Sequence, residues 1–265
     1  MGAPMALFFF VDGLGLPPDP DDPLYRGPLG PFLAAARPLG ATLGVPGLPQ
    51  SATGQTALLT GKNAARLLGH HHGPYPGPRL RALLAEHGLG PRLVRAGRGF
   101  LHANGYRPDY LRARRRRSAF AAMAELAGVG LLPLKAPPAV DPLLAEPERE
   151  AKKLADLAAA YPLVTLEFWA TDLAGHRAPE RLPELYRRLA RALAVLTERG
   201  DGVLVSDHGN AEEPGHRRHT RNPVPLLAWG RLETAFAGAR SILEVAPRLA
   251  RALGLENGND SHSQI

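Results

Sequence analysis

The stretch LVSDHGNAEE, Leu204–Glu213, carries an aliphatic run straight into Asp207 and His208, with Gly209 directly behind them. Such a run, closed by a polar pair and a glycine, reads as a buried strand that stops there. A strand end fixes two side chains in space, but Asp-His alone is a common pair. The fold turns on whether other segments end in the same way, and two do. ALFFFV (6–11) runs into Asp12 and Gly13, and PLVTLEFWA (162–170) leads into TDLAGH, which brings Asp172 and His176. GVLVS (202–206) is the strand before Asp207, and GRGFLHA (97–103) and PVPLLAW (223–229) read as two more.

Helical patterns lie between several of these strands. RLRALLAEHG (79–88) places Leu80, Leu83 and Leu84 on one face and ends in glycine. REAKKLADLAAAY (149–161) and ELYRRLARALAVLTERG (184–200) repeat apolar residues three and four apart. Strands alternating with helices predict an α/β protein: a mainly parallel, doubly wound sheet with helices on both faces. From Tyr106 to Pro147 the pattern breaks into an arginine run and two proline clusters. The expected division is a core of 1–105 and 148–265 with a small inserted cap at 106–147.

The bulk composition narrows the chemistry. The 265 residues contain no cysteine, which excludes disulfides, thiolate metal sites and cysteine nucleophiles. The formal charge is +7, and the excess is almost all arginine. A basic protein binds nucleic acid or attracts small anions. The densest run, Arg114 to Arg117, has no interleaved aromatic residues, so a base-stacking platform is unsupported and no nucleic-acid partner is expected. The apolar part of MGAPMALFFFVDG is too short to span a membrane. That stretch also lacks a basic leader and a small-residue cleavage site, so a cytoplasmic protein without a membrane partner is expected.

In open parallel sheets, ligands bind beyond the carboxyl ends of the strands. There the chain delivers Asp12, Asp172, His176, Asp207 and His208, and His219 stands just before the last strand. Each has a plain alternative. Asp12-Gly13 suits a turn, Asp172 suits a helix cap, and His219 among Arg217, Arg218 and Arg221 suits a surface. Together the plain alternatives fail, because three clustered carboxylates repel one another and raise each other's pKa. Two divalent ions remove that cost, and three ligands per ion leave positions open for substrate. In LPQSATGQTALLTGKNAA (48–65), Ser51 lies at an apparent helix start, where an anion is welcome. It is either a plain N-cap or a nucleophile activated by a neighbouring ion.

FFFVDGLG, SATGQTALLTG, DLAGH, SDHGNAEE and HTRNPVPLL occur in the order of the motifs of the alkaline phosphatase superfamily, which the chain resembles. The similarity is greatest to the cofactor-independent phosphoglycerate mutase and phosphopentomutase branch. It covers the first sixty-odd residues and Leu163 to Trp229. The resemblance implies an alkaline phosphatase-like core with two divalent ions, manganese favoured and zinc or magnesium as alternatives. Asp12, Asp207 and His208, with Ser51, match one ligand set, and Asp172, His176 and His219 the other. Ser51 matches the nucleophile and Thr53 is the fallback, since Gln55 stands where the mutases carry histidine. Arg218 is a candidate for binding phosphate. The mutases insert a long domain that this chain lacks, so the expectation is a phosphohydrolase acting on a small phosphomonoester through a phosphoserine. A phosphomutase of phosphoglycerate or a sugar phosphate is the first alternative. A phosphodiesterase or phosphonate hydrolase on the same scaffold follows, and a basic nucleic-acid-binding protein is remote. Oligomeric state is left open.

Overall fold

The computed structural model describes residues 5–113, 116–215 and 217–255. Arg114 and Arg115 of the arginine run lie outside them. The strands are β1 (Ala6–Val11), β2 (Arg37–Leu39), β3 (Phe100–His102), β4 (Gly105–Tyr106), β5 (Leu132–Pro133), β6 (Leu163–Phe168), β7 (Gly202–Val205) and β8 (Val224–Trp229). Six form one sheet in the order β2-β8-β7-β1-β6-β3, and β4 pairs with β5 separately. The four strands from β7 to β3 are parallel, while β8 is antiparallel to β7 and β2 to β8. The fold is therefore the expected mainly parallel α/β sheet. Among the described residues no helix is long and apolar enough to cross a membrane.

The continuous apolar run of β1 follows from burial on both faces. Phe8 and Phe10 belong to one core cluster, and Phe9 and Val11 to the other. The first face is covered by the helices Ser51–Thr60, Pro78–His87, Ala119–Leu126 and Val245–Ala252. The second is covered by Pro147–Ala158 and Leu182–Leu196, which also pack on each other. β2 went unread because its three residues include a proline and two exposed side chains. An edge position tolerates both.

The segment 106–147 is less of a cap than its composition suggests. AFAAMAEL forms the helix Ala119–Leu126, and Phe120 to Ala124 are buried in the core. The Phe120 ring stands edge-on to Phe8 at 5.4 Å and stacks on Phe10 at 4.6 Å. β4 and β5 form a two-stranded ribbon separate from the main sheet. Phe120→Ala is expected to destabilise the protein by about 3–5 kcal/mol. Denaturant unfolding measures this, and a loss below about 1 kcal/mol would return this helix to the periphery.

Register decides where the chemistry collects. Val11 lies beside Phe168, and Phe10 lies beside both Glu167 and Val205. The carboxyl ends of β1, β6 and β7 are thus level, and the residues that follow them emerge together.

Candidate metal centre

Asp12 follows β1 directly, and Asp207 and His208 follow β7 after Ser206. Asp172 and His176 lie one turn apart on the helix Ala170–Arg177, so they share a face. Asp172 is not the cap of this helix, because Trp169 holds that position. Gly13 has φ +69°, and a Cβ there would stand 2.6 Å from Asp172 Oδ1. The glycine after Asp12 is needed for the two loops to close on each other.

Ser51 is the first residue of the helix Ser51–Thr60, and Gln50 is the N-cap. Its Oγ makes no cap bond and instead lies 3.1 Å from His208 Nε2. Gly54 lets this helix approach, since a Cβ would meet Asp207 Cβ at 2.9 Å. Thr53 is fully buried and donates its hydroxyl to Gln50 O at 3.0 Å. The fallback residue is thus engaged with backbone, away from the ligand cluster.

The structure brings the two expected sets together. His208 Nε2 is 3.5 Å from Asp12 Oδ1 and 3.4 Å from Asp207 Oδ2. Asp172 Oδ1 is 3.4 Å from His176 Nε2 and 3.5 Å from His219 Nε2. His208 sits between the sets, with its ring stacked on His219 at 3.7 Å. Its ligand atoms cluster with Asp12 and Asp207 and also with Asp172 and His219.

The donor chemistry suits cations. His219 Nδ1 is 2.7 Å from Pro49 O, and His176 Nδ1 is 2.9 Å from Arg217 O. A carbonyl only accepts, so each Nδ1 carries the proton and each Nε2 presents a lone pair inward. Those two Nε2 atoms are 3.0 Å apart. Two lone pairs facing each other and a carboxylate need a positive charge between them. Asp12 Oδ1 and both Asp207 oxygens are buried with no hydrogen-bond partner. Burial first, then neighbouring carboxylates, push the Asp12 and Asp207 pKa values well above the usual carboxylate range. Burial likewise brings His208 down to about 3. Burial opposes ionisation of Asp172 too, but its neighbours His219, His208 and Asn210 hold its pKa below normal. Unpaired ionic groups this deep are costly unless a cation compensates them.

Several supporting residues went unread in the sequence. Glu212 is buried and ties three ligand-bearing loops together. Its Oε2 accepts from Gly15 N at 3.0 Å and Asn210 N at 2.7 Å. Its Oε1 accepts from Thr220 Oγ1 and from Asn222 Nδ2 at 3.1 Å. Asn210 Nδ2 in turn donates to Asp172 Oδ1 at 2.7 Å. Gln55 donates to Asp12 Oδ2 at 3.4 Å and accepts from Ala119 N at 3.1 Å. The residue that departs from the mutase pattern thus supports a ligand. The turn at Arg217, φ +53°, points its carbonyl at His176 and leaves Arg218 exposed.

A cavity of about 490 Å³ opens over the cluster. Asp12, Ser51, Gln55 and Asp172 line its floor, and Tyr75, Tyr106, Tyr110, Leu134, Leu143 and Trp169 contribute to its walls. Glu167, from the end of β6, also faces it. The signal for Glu167 was present in LVTLEF, as a lone acid in an apolar run.

Comparison with known proteins agrees with this architecture. Residues 144–257 match the model of the Metalloenzyme superfamily. The 2,3-bisphosphoglycerate-independent phosphoglycerate mutase of Paracoccus denitrificans is 32% identical over 130 residues, covering 43% of this chain and 25% of that protein. The mutase 2 of Methanosarcina barkeri is 31% identical over 108 residues, covering 36% of this chain and 21% of its own. The matched stretch is thus about a quarter of the length of these relatives. Among solved structures, the PH0037 protein from Pyrococcus horikoshii aligns over 97% of this chain and 98% of its own, with TM-score 0.57 and 16% identity. The alkaline phosphatase from the Antarctic bacterium TAB5 aligns over 97% and 100%, with TM-score 0.54 and 11% identity. These structural likenesses show the fold. Residues 144–257 are thus similar to the Metalloenzyme superfamily, and the chain has an alkaline phosphatase-like fold.

Proposed function

We propose that this protein is a two-metal phosphohydrolase that cleaves a small phosphomonoester through a phosphoserine on Ser51. The observation that carries the reading is the position of the Ser51 hydroxyl. It lies 3.1 Å from His208 Nε2, inside the ligand cluster, and on the floor of an open cavity. Asp12, Asp207 and His208, with Ser51, hold one ion, and Asp172, His176 and His219 hold the other. All donors are oxygen or imidazole, which suits manganese and also zinc or magnesium. Bound there, the ions lower the pKa of the Ser51 hydroxyl and neutralise phosphoryl oxygens.

The remaining work falls to the chain. Gln55 and Asn210 fix the carboxylates of Asp12 and Asp172, so the ligands stay positioned during turnover. Ser51 Oγ forms a bond to phosphorus as the ester oxygen leaves and takes up a proton. Water then attacks phosphorus, Ser51 recovers its proton, and inorganic phosphate is released. A phosphomutase is the second reading, favoured by the matches to phosphoglycerate mutases. A mutase must retain its dephosphorylated intermediate, which a short insertion serves poorly.

Stripped protein reloaded with manganese, zinc or magnesium is expected to release free phosphate from phosphomonoesters and to stop on chelation. Conversion of 3-phosphoglycerate to its 2-isomer without free phosphate would replace the hydrolase reading with the mutase one.

A further inference from the structure

The walls of the cavity carry information about the alcohol that leaves. Their charge is acidic. Arg107 is the one cation among the described residues lining the cavity; it is 80% exposed and lies 3.7 Å from Asp109. Asp141 and Glu167 add two more carboxylates. Asp141 accepts from Leu143 N and Ala145 N in its own turn and contributes no cation. A leaving group with its own carboxylate or phosphate meets mainly acids here, which disfavours it.

The apolar part of the wall is aromatic and consists of two kinds of ring. Tyr106 and Tyr110 stack on each other at 4.4 Å, interplanar angle 8°. The Tyr106 hydroxyl lies 2.6 Å from His102 Nε2, and Ser118 N donates to the Tyr110 hydroxyl at 3.2 Å. The Arg117 guanidinium covers Tyr110 at 4.9 Å. These two rings are a rigid backing whose faces are in use. Tyr75, 39% exposed, and the half-buried Trp169 also line the cavity, yet neither has a ring partner among the described residues. Unstacked rings beside a cavity are surfaces on which a planar group can lie.

Glu167 supplies the polar element. It is 3% exposed and lines the cavity, and Ser118 Oγ donates to its Oε2 at 2.7 Å. Asn104 anchors its backbone on both sides, through Glu167 N and Glu167 O. Among the described residues, Ser118 is the one hydrogen-bond partner of this carboxylate. Burial raises its pKa to about 7, so near neutrality it either accepts or donates a hydrogen bond.

We propose that this cavity is a leaving-group site for an uncharged, ring-bearing alcohol with hydroxyl groups, the class of the nucleosides, held by Tyr75, Trp169 and Glu167. The substrate class is then a nucleoside monophosphate rather than a phosphorylated acid. The inference rests on the phosphomonoester reading for the identity of the scissile bond, but not for the binding itself. A volume of about 490 Å³ falls within the range of small-molecule sites.

The test uses the whole metal-loaded protein with four probes: adenosine 5′-monophosphate, 3-phosphoglycerate, ethyl phosphate and free adenosine. Phosphate release is measured for the three esters, and binding of adenosine by calorimetry. The nucleotide is expected to exceed 3-phosphoglycerate in kcat/KM by at least about tenfold, as one avoided charge clash or one stacking contact provides. Trp169→Ala is expected to weaken adenosine binding about tenfold. Glu167→Gln, which preserves shape, is expected to lower nucleotide kcat/KM by about tenfold, the worth of one charged hydrogen bond. Ethyl phosphate turnover is the control for structure: each variant is expected to lose more on the nucleotide than on ethyl phosphate, and an equal loss on both would mark a structural role and overturn the assignment. Preference for 3-phosphoglycerate, or turnover of ethyl phosphate without adenosine binding, also overturns it while the hydrolase reading stands. Adenosine binding that is lost in Trp169→Ala, with no ester hydrolysed in any metal form, upholds this site and overturns the hydrolase reading instead.

Discussion

Ser51→Ala is expected to abolish hydrolysis of every phosphate ester while both ion sites still fill. On the proposed reading the Ser51 hydroxyl, 3.1 Å from His208 Nε2, is the group that bonds to phosphorus. Thr53 is the nearest alternative in the sequence, but its hydroxyl is fully buried and spent on Gln50 O. Removing a nucleophile from a site that acts as a unit costs about four orders of magnitude or more in kcat. Among the six candidate Asp and His ligands, His208 contacts Ser51 directly, and three others have supports of their own. Asp12 is held by Gln55, Asp172 by Asn210, and His219 by Pro49 O. Calorimetric titration with manganese should therefore still show binding in the variant, weakened at most by the missing oxygen. Full turnover in Ser51→Ala, with loss in Thr53→Ala, would move the nucleophile to Thr53. Loss of both turnover and ion binding would mean that Ser51 is structural.

The candidate ligands Asp12, Asp207 and His208 stood out in the sequence because they close apolar runs, and strand ends are the best-signalled feature of a parallel sheet. ALFFFV, LVTLEF and GVLV announce themselves by composition, and the polar residue that closes each run is the one the sheet presents. The sheet order was not legible. Nothing in FFFVDG says that β1 lies between β6 and β7, which is the arrangement that brings Asp12 near both Asp172 and Asp207. The helix Ala119–Leu126 was misplaced for a different reason. Arginine and proline clusters on both sides colour the segment as peripheral, yet AFAAMA alone is apolar on every face and belongs in a core. Gln55 was read as a missing histidine, since only the fold shows that its amide reaches Asp12 and Ala119 at once.

Glu212→Ala is expected to disable both ion sites at once, although Glu212 belongs to neither ligand set. Its two oxygens accept from Gly15 N and Asn210 N on one side and from Thr220 Oγ1 and Asn222 Nδ2 on the other. Those donors sit on the loops that carry Asp12, on the segment after His208, and next to His219. Without the carboxylate, buried donors lose their acceptors, and each unsatisfied group costs about 1–3 kcal/mol. The loops can relax and recover part of this through water, so a net loss of about 2–4 kcal/mol in stability is expected. Relaxed loops place Asp12, His208 and His219 less well, and affinity for each ion should fall about 10–100-fold, the usual effect of removing a group that orients ligands. The isosteric change is informative. Glu212→Gln keeps the volume but turns one acceptor into an NH2, which then faces two donors. It should therefore damage ion binding nearly as much as alanine does, whereas a mere space-filling role would leave Glu212→Gln close to wild type. Titration of the stripped variants with manganese, alongside unfolding with and without the metal, separates the two cases.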